Sequence, residues 1–240
     1  MDSKWREQQI KHAREHFKDF VADFNDYGEV QTLDWRNKDG GSNYHVHYIF
    51  DTKQQYMHIS GDLGSACFYL TWEPTFENMR NRIRDPWYII GKLECSTDKY
   101  VYPDEYVRSE IEEYYKDWAP ARDDYDEGED GHEQYLEDKE EFWETIESFI
   151  QAHDRHYGFQ EMNCDRFDEL QEIDGEWYEH EFGRYISTRV YCWLVGLEMA
   201  WENYVSQERC TNTECPYYKE NCGICPARNG CAGYERSADI

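Results

Sequence analysis

Basic residues are scarce in this 240-residue chain: 25 Lys and Arg stand against 52 Asp and Glu, a net charge of −27. Such a field repels phosphate, which argues against direct binding to DNA, RNA or an anionic membrane surface and favours a strongly basic partner. Long apolar runs are also missing. The longest, Val190 to Leu197, ends at Glu198, and a bilayer span needs about 20 apolar residues. The N-terminus MDSKWREQQIKHAREHF is charged and lacks an apolar core, so no export signal is expected and the chain reads as intracellular. No Ser-His-Asp, Cys-His or Walker pattern is present, so catalysis is not expected. Gly61-Asp62-Leu63-Gly64 is too short and wrongly placed for a phosphate-binding loop and reads as a hairpin turn.

Aromatic residues fill the gap left by a hydrophobic content of only 39%. At 17% of the chain, Tyr, Trp and Phe must supply much of the buried area. They are interleaved with the acids. Asp104 to Glu147 holds 19 acids and 4 bases in 44 residues, together with Tyr106, Tyr114, Tyr115, Trp118, Tyr125, Tyr135, Phe142 and Trp143. A disordered acidic tail is poor in aromatics, so the charge is expected on helices whose other face packs. A solvated acidic surface is the competing reading of any charge run, but a second stretch, Glu161 to Glu181, adds nine acids against Arg166 alone.

In chain order, Ser3 to Phe24 reads as an amphipathic helix, the most basic segment, ended by Asn25 to Gly28. A β-meander follows, with strands expected at Glu29–Trp35, Tyr44–Asp51, Tyr56–Ser60 and Ala66–Trp72. His45 and His47 share one face of the second strand, either as a metal pair or as hydrogen-bonded surface groups. Helical segments are expected from Phe76 to Arg84 and from Pro86 through Trp87, Ile90 and Leu93. Another runs from Pro103 to about Trp118, with acids in its first turn. Arg122 to Gly131 has the composition of a mobile acidic loop. A long helix from His132 to about His153 turns Glu133, Glu137, Glu140, Glu141 and Glu144 outward. With Asp123, Asp124, Asp126 and Glu127, these are the candidate partner-binding residues. Arg184 to Ser206 reads as the central core helix.

From Glu208 the composition changes. Cys210, Cys215, Cys222, Cys225 and Cys231 follow the spacing C-x4-C-x6-C-x2-C-x5-C. The Cys222-Gly-Ile-Cys225 loop lets two thiolates reach one ion, and tetrahedral Zn²⁺ needs four. Four of the five are expected to hold a structural zinc; an iron–sulfur cluster is the alternative. Cys67, Cys95, Cys164 and Cys192 are scattered and read as small core residues.

The strand, Ser60-Gly61-Asp62-Leu63-Gly64-Ser65-Ala66 turn and strand, followed by aromatic-rich acidic helices, resemble small phage and prophage proteins without assigned enzymatic roles. Size, acidity and the cysteine site together are similar to anti-CRISPR proteins that inhibit type II-A Cas9. That family has no common fold, so the resemblance implies a role, a basic partner and a bacterial host cytoplasm, and no catalytic residues. Cas9 holds its nucleic acids in positively charged channels.

The expected architecture is α+β. A small antiparallel β-meander is packed by several helices, with an acidic helical region, over residues 1–207, and a metal-bound cysteine knuckle follows at 208–240. The expected function is inhibition of Cas9 by acidic surfaces that hinder target DNA loading. The alternatives are an iron–sulfur nuclease-like enzyme, or a DNA-mimic inhibitor of another nucleic-acid-binding protein.

Overall fold

The computed structural model describes residues 2–41, 43–96 and 98–207. They form two compact units: unit 1 comprises 1–97 with the helix that begins at Thr188, and unit 2 comprises Asp98–Ser187. Both fall within the stretch that composition groups as one acidic region.

Unit 1 is an antiparallel sheet of six strands in simple meander order. Its strands are β1 (Phe20–Asp26), β2 (Val30–Asn37), β3 (Val46–Asp51), β4 (Tyr56–Gly61), β5 (Ala66–Tyr69) and β6 (Leu93–Ser96). Helix α1 (Asp2–His16) precedes the sheet. The short helices α2 (Phe76–Met79) and α3 (Pro86–Ile90) link β5 to β6. Period-two alternation sends one set of side chains inward. Leu33, Tyr48, Ile59 and Ala66 form one cross-strand row and Phe50, Met57 and Phe68 another. All seven are buried.

The sequence reading places four strands, and the sheet has six. Residues 20–24, expected as helix, form β1 together with Asn25 and Asp26, because Phe20 and Ala22 point inward and the strand pairs with β2 along its whole length. Of the stretch read as a helix terminator, Asn25 and Asp26 end β1, and Tyr27 and Gly28 enter the hairpin turn to β2. Gly28 sits at φ +87, and its N–H donates to Asp26. The sixth strand begins at Leu93, expected at the end of the Pro86 helix. Gly91 caps that helix, and Leu93 pairs with Phe68. The expected Phe76–Arg84 helix is α2 followed by a 3-10 turn at Arg82–Arg84.

The final helix of the described chain, numbered α7 (Thr188–Gln207), is the core helix that the sequence led one to expect, starting four residues later. Val190 to Val195 and Leu197 are all buried. Gly196 lets it lie close to the sheet: a Cβ there would stand 2.6 Å from the Tyr48 hydroxyl and 3.2 Å from Trp35. Tyr48 donates a 2.8 Å hydrogen bond to the Trp193 carbonyl. Helix α1 buries Trp5, Gln9 and Ala13 on one face, and its Arg14 bonds Glu198 of α7.

Unit 2 is mostly helical. It contains β7 (Tyr100–Val101), α4 (Asp104–Tyr115), α5 (Glu129–Gln151), β8 (His153–Asp154), β9 (Gly158–Phe159), α6 (Phe167–Ile173) and β10 (Tyr185–Ile186). β10 pairs with β7 and β8 with β9, so Tyr185 and Ile186, read as the start of the core helix, are strand. The core sets Val107, Ile111 and Tyr115 of α4 against Phe142, Ile146, Phe149 and Ile150 of α5, with Leu170 and Phe182. Spacings of four on α4 and of three and four on α5 produce those faces. Among the described residues, no helix is long and apolar enough to cross a membrane.

Candidate functional site

Helix α5 starts at Glu129, not His132, and takes Glu129 and Asp130 into its first turn, where acids complement the helix dipole. Before it, Arg122–Asp124 is a 3-10 turn, and the Arg122 guanidinium donates to the carbonyls of Tyr125 and Asp126. The Tyr125 hydroxyl donates to Asp138 at 2.8 Å. The acidic segment expected as a loop is thus tied to the helix that follows it.

Because Phe142, Thr145, Ile146, Phe149 and Ile150 fill the buried face, the helical period leaves Glu133, Glu137, Glu140, Glu141 and Glu144 exposed. Asp123, Asp124, Asp126 and Glu127 are exposed as well. The acids differ in how far they are neutralised. Arg166 bonds Glu144 and lies 3.9 Å from Glu141. Arg108 of α4 grips Glu147 through two hydrogen bonds of 2.7 and 2.8 Å. That bidentate pair holds the Glu147 carboxyl down at about 2. Glu133, Glu137 and Glu140 make no ion pair among the described residues. Apolar surface accompanies the charge on α5, where the 49% exposed Leu136 lines one groove with Glu140 and Glu144; Trp118, beyond the end of α4, is 47% exposed.

Beneath this surface, Tyr115 donates its hydroxyl to Asp174 at 2.8 Å. Burial first, then that bond, pushes the Tyr115 phenol well above its ordinary value. Asp174, 4% exposed, also accepts from the Glu176 N–H, so it is an internal anchor and not part of the charged surface.

On the open face of the unit 1 sheet, His45 and His47 take the hydrogen-bonded role, both donating to Asp34 Oδ1 at 2.9 Å. Partial burial pushes the Asp34 carboxyl up, but the two imidazole bonds outweigh it and hold it below the usual carboxylate range. Nothing in the sequence singles out Asp34; strand register puts it opposite His47. No group of three or more His, Cys, Asp or Glu among the described residues is arranged to hold a metal. The tail ligands Cys210, Cys215, Cys222, Cys225 and Cys231 lie outside the described residues. Two of the four remaining cysteines are not core residues: Cys67 is half-buried and Cys95 exposed, whereas Cys164 and Cys192 are buried. The pattern missed Cys95 because it assigned no strand to β6, and Cys67 falls between the buried Ala66 and Phe68 on the outward face of β5.

Comparison with protein-family models, curated proteins and solved structures finds no match for this chain.

Proposed function

We propose that this protein acts by binding, with the α5 surface of unit 2 imitating one strand of nucleic acid for a basic partner. The observation that carries the reading is the row Glu133, Glu137, Glu140, Glu141 and Glu144, exposed on one helix face. At ~1.5 Å rise per residue the row spans about 16 Å. One DNA strand carries about five phosphates over that length, at ~3.4 Å each. The carboxylates match that density, and Arg166 offsets part of it at the C-terminal end only. Exposed Trp118 and Leu136 supply apolar anchors of the kind that slow dissociation once charge has steered the encounter.

The partner that the resemblance implies is Cas9, whose channels are basic, and the proposed action is hindrance of target DNA loading. The proposal extends to the tail. Cys215, Cys222 and Cys225, with either Cys210 or Cys231, form a soft four-thiolate donor set that suits Zn²⁺. Four protein ligands leave no open coordination position, so that zinc would fold the tail and take no part in chemistry.

The test changes charge without touching the internal ion pairs. Glu133, Glu137 and Glu140 are replaced together by Lys, and Glu141 and Glu144 are left to hold Arg166. Association with Cas9 should slow by about tenfold or more at low salt, with little change in dissociation. Order of addition locates the step: the protein should block DNA binding when added before target DNA and act far more weakly afterwards. Unchanged association and unchanged salt dependence in the triple variant would remove the α5 surface from the interface. Normal DNA binding by inhibited Cas9 would exclude blocked loading. Binding of another basic protein from a host lysate, with none to Cas9, would keep the mimicry and replace the partner.

A further inference from the structure

Cys67 in β5 and Cys95 in β6 are direct register partners on neighbouring antiparallel strands, and neither is in a disulfide. Opposed residues in such a ladder have Cα atoms about 4.5–5.5 Å apart, inside the ~4.4–6.8 Å range that a disulfide spans. Ala66 and Phe68, on either side of Cys67, are buried in the core, so alternation turns the Cys67 thiol to the open face of the sheet, and Cys95 opposite it is exposed. Each thiol lies in the other's electrostatic reach. After burial, the Cys95 thiolate and then the Glu94 carboxylate are what raise the Cys67 thiol. The ladder is irregular at this point. Register shifts between Cys67 and Phe68, leaving Glu94 without a partner opposite, and such a bulge bends the edge strand and increases its local twist.

We propose that Cys67 and Cys95 form a dithiol site that reacts with low-molecular-weight disulfides, such as glutathione disulfide, to give a cross-strand bond between β5 and β6. Cys95 is the exposed member and attacks first. Its thiolate bonds to one glutathione sulfur, the glutathione disulfide bond breaks, and one glutathione thiolate leaves. The Cys67 thiolate then attacks the Cys95 sulfur of the mixed disulfide and expels the second glutathione thiolate. Two protein thiols are oxidised, one glutathione disulfide is reduced to two glutathiones, and the two thiol protons end on them. The bond would pin β6, the edge strand of the sheet, to its neighbour. The row continues through His58, register partner of Cys67, but these three groups are not arranged to hold a metal.

The whole protein is incubated with glutathione disulfide, quenched in acid, alkylated and digested with trypsin. Cys67 and Cys95 fall in separate tryptic peptides, 54–80 and 93–99. Wild type should give these two peptides linked, lighter by two hydrogens and separated again by dithiothreitol. The linked form should exceed the Cys95 mixed disulfide by ~10-fold or more, because the second thiol is already in place. In Cys67→Ser the reaction should stop at the Cys95 mixed disulfide. In Cys95→Ser, Cys67 should react several-fold more slowly than Cys95 does in wild type. Both variants are on the open face, and unchanged far-UV circular dichroism checks that they fold. The proposal is overturned if both cysteines carry separate glutathiones in wild type. It is equally overturned if they remain alkylated thiols or link to peptides of the cysteine-rich tail.

Discussion

Replacing Gly196 by Ala should destabilise unit 1, although helix propensity argues the other way. Alanine is favoured over glycine in a helix interior by about 1 kcal/mol. Against that, the new methyl would stand 2.6 Å from the Tyr48 hydroxyl and 3.2 Å from Trp35 Cδ1. Neither neighbour can yield freely: Tyr48 and Trp35 are 0% and 1% exposed, and Trp193, behind the Tyr48 bond, is fully buried. Restoring an ordinary contact requires a shift of several tenths of an ångström, at the expense of the 2.8 Å bond from Tyr48 to the Trp193 carbonyl. Overpacking costs about 1–3 kcal/mol, and a buried polar group losing its partner about 1–3 more. Less the helix-propensity gain, the net loss should therefore be about 1–5 kcal/mol.

Tyr48→Phe supplies the control. Alone it should cost about 1 kcal/mol, the net worth of one hydrogen bond. It also deletes the atom that the alanine methyl strikes, leaving Trp35 at 3.2 Å and Phe17 at 3.6 Å. In that background Gly196→Ala should be near neutral, so the two substitutions together cost less than their sum by about 1 kcal/mol or more. Hydrogen exchange of β3, β4 and β5 peptides reads unit 1 separately from unit 2, with urea unfolding as a second measure. A neutral or stabilising Gly196→Ala in the wild-type background, or strict additivity with Tyr48→Phe, would refute the close-approach argument.

Asp174→Ala should cost unit 2 about 2–3 kcal/mol in urea unfolding, because the buried Tyr115 hydroxyl loses its acceptor; Asp174→Asn, which keeps an acceptor oxygen, should cost less. The Glu147 carboxyl, held at about 2 in the folded chain against an ordinary 4.5, gives stability that is present above pH 4.5 and lost as pH falls towards 2. Both partners are about two-fifths exposed, so the loss should stay below about 1 kcal/mol. Carboxyl NMR of Arg108→Ala should find Glu147 titrating near its ordinary value. Elemental analysis should find roughly one zinc per chain, absent after Cys222→Ser with Cys225→Ser and unchanged by Cys67→Ser; a metal-free tail that stays folded would refute the zinc site.

Much was readable in one dimension because it depends on local period. The outward row Glu133 to Glu144, the core helix ending the described chain and strands β3 and β4 each carry their own 3.6- or two-residue pattern, although β3 starts at Val46, two residues later than the pattern placed it. The mixture of acids and aromatics implied helices with one packed face, and α4 and α5 have it. What the pattern could not supply was pairing. Residues 20–24 carry apolar groups at spacings that suit a helix or a strand, and the full-length ladder with β2 decided for strand. Leu93 to Ser96 has no alternation of its own and is a strand because β5 offers an open edge. The Asp34 contact with His45 and His47, the opposed thiols of Cys67 and Cys95, and the fit of Gly196 over Tyr48 all join residues distant in sequence. Local periodicity sets which face of an element is apolar, but only the closed sheet and its register set which residue stands opposite which.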